Sequence, residues 1–192
     1  MATTYEEIRS FMDMEGLKYR MSDDGTYLRT GFQMYKYRGA TGDDGIPLTI
    51  RLSEDGEYLE IYAPAAYTYK DGPNVGAVLQ TLLMIQWKTK LIQFEYDAGD
   101  GEIRPTVKVP LEDAKLTQKL LKRVLMGIPR VIDKYHPAIT RAIETGVIEF
   151  PQEEDDGRLS DLMGALGHIE PGELQEVIAE IRRKRSIDGV WH

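Results

Sequence analysis

PNVGAVLQTLLMIQWKTKLIQFEYDAGDGEIRPTVKVPLEDAKLTQKLLKRVLMGIPRVIDKY, residues 73–135, decides the fold of this chain. Val75, Val78, Leu79, Leu82, Leu83 and Gln86 recur at three- and four-residue steps, the period of a helix. Met84, Ile85 and Trp87 widen the apolar face until the helix needs cover on more than one side. Asp71-Gly72-Pro73 makes the turn before it, with proline tolerated in a first helical turn. After Lys90 the period becomes two. Ile92, Phe94 and Tyr96 line one strand, Ile103, Val107 and Val109 the next, and residues 97–101 (DAGDG) form the turn between them. Pro105 predicts that the second strand is an edge strand or bulged, because proline cannot donate to a ladder.

The closing helix starts near Asp113 or Thr117, both good N-caps. Its stripe is Leu116, Leu120, Leu121, Val124, Leu125, Ile128, Val131, Ile132 and Tyr135. Pro129 is expected to kink it and Pro137 to kink or end it, with Ile139 and Ile143 marking one further helical segment. The expected core joins Leu82, Leu83, Phe94, Val107, Leu120 and Val124.

Upstream, Thr3 or Thr4 caps a first helix, with Glu6 or Glu7 completing a capping box, Ile8, Phe11 and Met12 facing inward and Gly16 ending it. Strands are expected at 17–21, 27–37, 47–53 and 57–62, the last two joined by a tight Asp55-Gly56 hairpin. One face of these strands is aliphatic: Leu28, Phe32, Met34, Leu48, Ile50, Leu52, Leu59 and Ile61. The other carries Tyr27, Arg29, Gln33, Tyr35, Tyr37, Arg51, Tyr58, Glu60 and Tyr62. High β propensity explains tyrosines in cross-strand pairs. Their enrichment at interfaces makes Tyr27, Arg29, Tyr35, Tyr37, Arg51, Tyr58 and Tyr62 the candidate partner surface.

The chain of 192 residues has a net charge of -8, which opposes binding to nucleic acid or to anionic membranes. No apolar run approaches the ~20 residues of a membrane span. The opening MATTYEEIRSF lacks the basic and apolar regions of a signal peptide. With no cysteine there is no disulfide, thiolate chemistry or Cys-ligated zinc, and a cytoplasmic protein is the economical expectation. Residues 1–145 are close to neutral, whereas 146–192 carry most of the negative charge. The domain expectation follows this shift: an α+β domain over 1–145, an acidic linker over 146–158 and a helical extension over 159–192. Leu174, Val177, Ile178 and Ile181 give the extension an apolar stripe, expected to be buried on the body or on a second subunit.

No constellation for catalysis emerges. Asp133 and His136 stand three apart on a predicted helix but lack a third metal ligand, and helix-end polarity accounts for them. Asp97, Asp100 and Glu102 crowd one hairpin without matching a calcium loop, and turn chemistry accounts for the aspartates. No nucleophile elbow, phosphate loop or dinucleotide fingerprint is present. No enzyme activity, cofactor or metal is therefore expected.

The segments Val78–Phe94, Asp97–Asp113 and Leu116–Pro137 resemble the YbjN-like sensory transduction regulators and the type III secretion chaperones. In that pattern an apolar helix runs into a strand, then a D-x-D-G-like turn, a strand ending in Pro-Leu and a helix ending in Asp-x-Tyr-x-Pro-like residues. Asp100-Gly101-Glu102, Pro110-Leu111, Asp133, Tyr135 and Pro137 match it, over about residues 3–140. The resemblance implies an α+β fold, an antiparallel sheet packed against helices, with the C-terminal extension added. It also implies a bacterial, non-catalytic adaptor or chaperone-like regulator that homodimerises and holds a peptide segment of a partner protein. The alternatives are a small-molecule-binding protein or enzyme with an unrecognised pocket between sheet and helices, and a regulatory subunit whose tail docks elsewhere.

Overall fold

The computed structural model describes residues 2–150. The 159–192 extension and most of the 146–158 linker, with the Leu174–Ile181 stripe, lie outside the described residues. The elements run α1 (Tyr5–Met14), β1 (Tyr19–Met21), β2 (Tyr27–Gln33), β3 (Gly45–Ser53), β4 (Tyr58–Tyr62), β5 (Tyr67–Thr68), α2 (Val75–Lys88), β6 (Gln93–Tyr96), β7 (Glu102–Pro110) and α3 (Gln118–Thr145). Thr4 caps α1: its side chain accepts from the Glu7 N–H while the Glu7 carboxylate accepts from the Thr4 N–H at 3.0 Å. This is a complete capping box.

All the strand pairings are antiparallel. β1 to β4 form a meander, and β7 then pairs with β4, so the later hairpin closes the sheet opposite the earlier strands. β6 takes the other side of β7. β3 and β4 form the expected hairpin, with Ser53 opposite Tyr58, but its connection is a short 3-10 turn over Glu54–Gly56 in place of a tight Asp55-Gly56 turn. Gly56 has φ +93°, and its carbonyl accepts from Thr3 N–H at 3.1 Å. A Cβ there would lie 2.1 Å from the Thr3 carbonyl oxygen, so only glycine fits.

β5 was not foreseen, and it explains Pro105. Ile103 on β7 pairs with Tyr67 on one side and Tyr96 on the other, which makes β7 an interior strand, neither an edge nor bulged at this point. Pro105 faces the gap between the end of β4 and the start of β5, and its carbonyl accepts from Ala63 N–H at 3.1 Å. A residue's N–H and C=O point to the same strand edge, so the donor that proline lacks would also have pointed into that gap.

One face of the sheet meets the helices in a single apolar core. Leu28, Leu48, Ile50, Leu59, Ile61, Ile103 and Val107 pack there with Ile8 and Met12 of α1, Leu82 and Ile85 of α2, and Leu121, Val124, Leu125, Ile128 and Ile132 of α3. Three expected core members differ. Leu83 is exposed, and Phe94 and Leu120 are half-buried at the margin, where Leu121 takes the inner position beside Leu120.

α3 starts at Thr117, whose side chain accepts from the Leu120 N–H at 3.2 Å, and not at Asp113. It runs without interruption through Pro129 and Pro137 to Thr145, so Pro137 does not end it. Gly146, with φ +71°, closes it in the left-handed conformation. The next residues turn back along the helix: Glu149 pairs with Arg141 at 2.9 Å, and the Phe150 ring packs edge-on to Tyr135 at 6.1 Å. Among the described residues no helix is long and apolar enough to cross a membrane.

Candidate protein-binding surfaces

The sheet face away from the helices is tiled by alternate residues in register. Tyr27, Arg51, Glu60 and Lys108 form one row across β2, β3, β4 and β7, and Arg29, Thr49, Tyr62 and Thr106 form the next. The structure therefore brings Tyr27, Arg29, Arg51, Tyr58 and Tyr62 together on one face, as alternation requires. Arg29 and Arg51 are exposed and the three tyrosines half-buried. The Arg29 guanidinium lies 5.2 Å from the Tyr27 ring centre, and that of Arg104 lies 5.0 Å from the Tyr62 ring centre. Both distances fit cation–π contact.

The β6 side of this face is charge-balanced. Glu95 accepts from Arg104 Nε at 2.5 Å and from Lys108, which also reaches Glu60 at 3.5 Å. Partial burial works to raise the Glu95 pKa, but the hydrogen bonds from Lys108 and Arg104 together outweigh it and hold the carboxyl below its ordinary range. The same bonds from Glu95 raise Arg104 and Lys108.

Tyr35 and Tyr37 do not belong to this face. β2 ends at Gln33, and the following N–H groups of Tyr35, Lys36 and Tyr37 all donate to Asp133 Oδ1 of α3, at 2.9, 2.6 and 3.0 Å. One carboxylate oxygen thus takes three consecutive donors that a longer strand would have spent on a ladder. Tyr35 is 84% exposed on the resulting loop, whereas Tyr37 is 3% exposed and cannot touch a partner. Its hydroxyl donates to the Ala66 carbonyl at 2.9 Å, and its ring meets Tyr67 and His136 edge-on at 5.7 and 5.3 Å.

Tyr67 and His136 stack at 5.8 Å, with the Tyr67 hydroxyl 3.0 Å from His136 Nδ1. Burial pushes the Tyr67 hydroxyl well above its ordinary range, so it stays protonated beside the ring. Asp133 and His136 are thus neither helix-end polarity nor a metal pair. They lie mid-helix and fasten the β2–β3 loop and β5 to α3. Among the described residues no group of three metal-ligating side chains occurs.

A second surface was missed by sequence reasoning. The helix α2 turns Val78, Thr81, Leu82 and Ile85 inward. Leu83, Met84 and Trp87, with Leu91 just beyond the helix, are 65%, 38%, 90% and 44% exposed. The signal was the apolar girth itself. It demands cover on more than one side, yet only one side is covered among the described residues. At the end of α2, Gln86 Oε1 accepts the Phe94 N–H at 3.2 Å, tying the helix to β6.

Two depressions lie on the outside of the body. One, of about 560 Å³, is lined by His136, Pro137, Thr140, Arg141, Glu144, Thr145 and Val147, and another, of about 430 Å³, by Glu95, Tyr96, Asp97, Ala98, Glu102 and Arg104. Neither lies between the sheet and the helices.

The sequence matches no family model and no curated protein. The structure is similar to that of YbjN, a proposed transcription regulator from E. coli, with 14% identity and a TM-score of 0.55 over 71% of this chain and 94% of that one. A weaker likeness, with a TM-score of 0.43 at 16% identity over 71% of this chain and 98% of that one, is to a chain of the heterodimeric ExoU–SpcU complex from the type III secretion system of Pseudomonas aeruginosa. The chain has the YbjN-like fold, an antiparallel sheet with three helices, as its sequence pattern implied.

Proposed function

We propose that this chain is a non-catalytic, cytoplasmic adaptor or chaperone-like regulator that homodimerises and holds a peptide segment of a partner protein. The observation that carries this reading is the bare apolar face of α2, with Trp87 nine-tenths exposed beside Leu83, Met84 and Leu91. Scattered apolar residues need no explanation, but a contiguous patch with a tryptophan in it is the anatomy of an interface. A second copy is the occupant assigned to it, because interfaces between copies are the more apolar class. That leaves the open sheet face, with its tyrosines and arginines, for the peptide. The E. coli protein of the same fold is a proposed transcription regulator, a role that needs no catalytic centre.

Light scattering on the full chain and on Leu83→Glu with Trp87→Glu tests the reading. A dimer mass that becomes monomeric in the variant, which still unfolds in a cooperative melt, is the expected result. A monomer at high micromolar concentration would overturn the dimer. Unchanged dimerisation in the variant would overturn α2 as its interface.

A further inference from the structure

We infer that the peptide held on the open sheet face is acidic, an extended segment with carboxylates at alternate residues. The inference rests on the peptide-holding reading above and gives that peptide its chemistry. Arg20 on β1 stands directly opposite Arg29 on β2, and Arg29 is diagonal to Arg51 on β3, because Arg29 pairs with Thr49 and Tyr27 pairs with Arg51. Directly opposed residues share a face, so three guanidinium groups on three adjacent strands point the same way.

Like charges in that arrangement repel and work against the sheet. The carboxylates nearby do little to relieve it. Glu60 stands opposite Arg51 in register, but its side chain reaches Lys108 at 3.5 Å. Arg29 has the Tyr27 ring beside it and Arg20 an exposed contact to Asp23 at 3.5 Å, a pair open to water. Arg29 and Arg51 have no carboxylate partner among the described residues, whereas Arg104 and Lys108 on the β6 side are paired.

The spacing suits an extended chain. Neighbouring strands lie about 4.8 Å apart, and alternate side chains of an extended peptide recur about every 6.7 Å. Diagonal neighbours such as Arg29 and Arg51 stand about 7–8 Å apart. Carboxylates two residues apart therefore each meet one guanidinium, the donor whose planar fork suits them. Tyr27, Tyr58 and Tyr62 add ring faces and hydroxyls around the stripe. A nucleic acid is the less suitable polyanion, because the net charge of -8 repels a long run of phosphates more than it repels a short segment with a few carboxylates set against the arginines.

The test uses the full chain and a fluorescent synthetic peptide with glutamate at alternate positions, followed by anisotropy at low salt. The expected result is binding that weakens at least about tenfold in Arg29→Glu with Arg51→Glu. It should also weaken with added salt and be unchanged in Arg123→Glu, on α3. Thermal melts confirm that the variants fold. Equal binding of the matching glutamine peptide, or no loss in the double variant, would overturn the acidic chemistry. So would tighter binding of a single-stranded oligonucleotide at the same arginines. A neutral or basic peptide that binds instead, and is lost with Tyr58→Ala and Tyr62→Ala, would refute the acidic partner while leaving peptide holding intact. Binding of no peptide of any class would refute both.

Discussion

Asn74 holds the far end of α3. Its side-chain amide donates to the Ile143 carbonyl at 3.0 Å, and its Oδ1 lies 2.7 Å from where a Cβ on Gly146 would stand. Asn74 is also the residue before α2, so one side chain joins the start of one helix to the end of the other. Gly146→Ala is expected to destabilise the fold by about 1–3 kcal/mol, from the left-handed backbone and the collision together. Asn74→Ala should cost roughly 0.5–1.5 kcal/mol, the worth of its hydrogen bond. In the double variant the collision is gone, so urea titrations should give a total below the sum of the two. Strict additivity would mean the two residues do not share this contact.

Asp133→Ala removes the acceptor of three backbone donors. Hydrogen bonds to a charged group are worth about 1.5–3 kcal/mol, and the loss here should reach at least that range. Hydrogen exchange locates it: the amides of Tyr35, Lys36 and Tyr37 should lose protection while those of β3 keep theirs. Unchanged protection at those three amides would contradict the geometry.

The core is tested at two adjacent positions. Leu121→Ala is expected to cost about 2–5 kcal/mol as a buried large-to-small change. Leu120→Ala, at the margin of the core, should cost less, about 1 kcal/mol. The two residues differ by one step of the helix, so the order of the two costs reports its rotation. A larger loss at Leu120 would mean α3 presents a different face.

Acid should loosen the Tyr37–Tyr67–His136 cluster. Burial holds the His136 imidazole below its ordinary range, although Asp133 and Glu144 favour the cation. Above about pH 6.5, the value of a free histidine, the ring is neutral in both folded and unfolded chains and its contribution is complete. As the pH falls further, the unfolded chain takes up the proton first, so stability declines until the folded pKa is passed. Urea midpoints measured between about pH 7 and 5 should fall more steeply for the parent than for His136→Gln. Parallel lines would leave the histidine without a part in the acid response.

Period and turn chemistry made most of the fold legible. The capping box at Thr4, the hairpin around Gly101, the inward faces of the strands and the stripe of α3 all follow from local rules that the tertiary structure obeys. The misreadings share a different cause. β2 stops short because the donors of residues 35–37 find Asp133, nearly a hundred positions away, and no local pattern marks that. Leu83 and Trp87 look like core residues because apolar character alone does not say which side is covered. Tyr67–Thr68 is too short to show an alternation, and without it Pro105 could only be read as an edge. Of the candidate surface, the five residues lying in strands were placed together by register, while Tyr35 and Tyr37 lay beyond the strand end.

Pro105 also acts as a key for the alignment of β7. In the observed pairing its missing donor points into the gap between β4 and β5, where the Ala63 N–H meets its carbonyl. Sliding β7 by one residue would reverse the direction of every amide along it. The nitrogen without a proton would then face β6, leaving an acceptor there unanswered, and the apolar residues would swing from the helices to the water. A residue that looks like a flaw in a central strand therefore penalises the wrong alignments and costs the right one nothing, so the hairpin of β6 and β7 has one register in which to join the sheet.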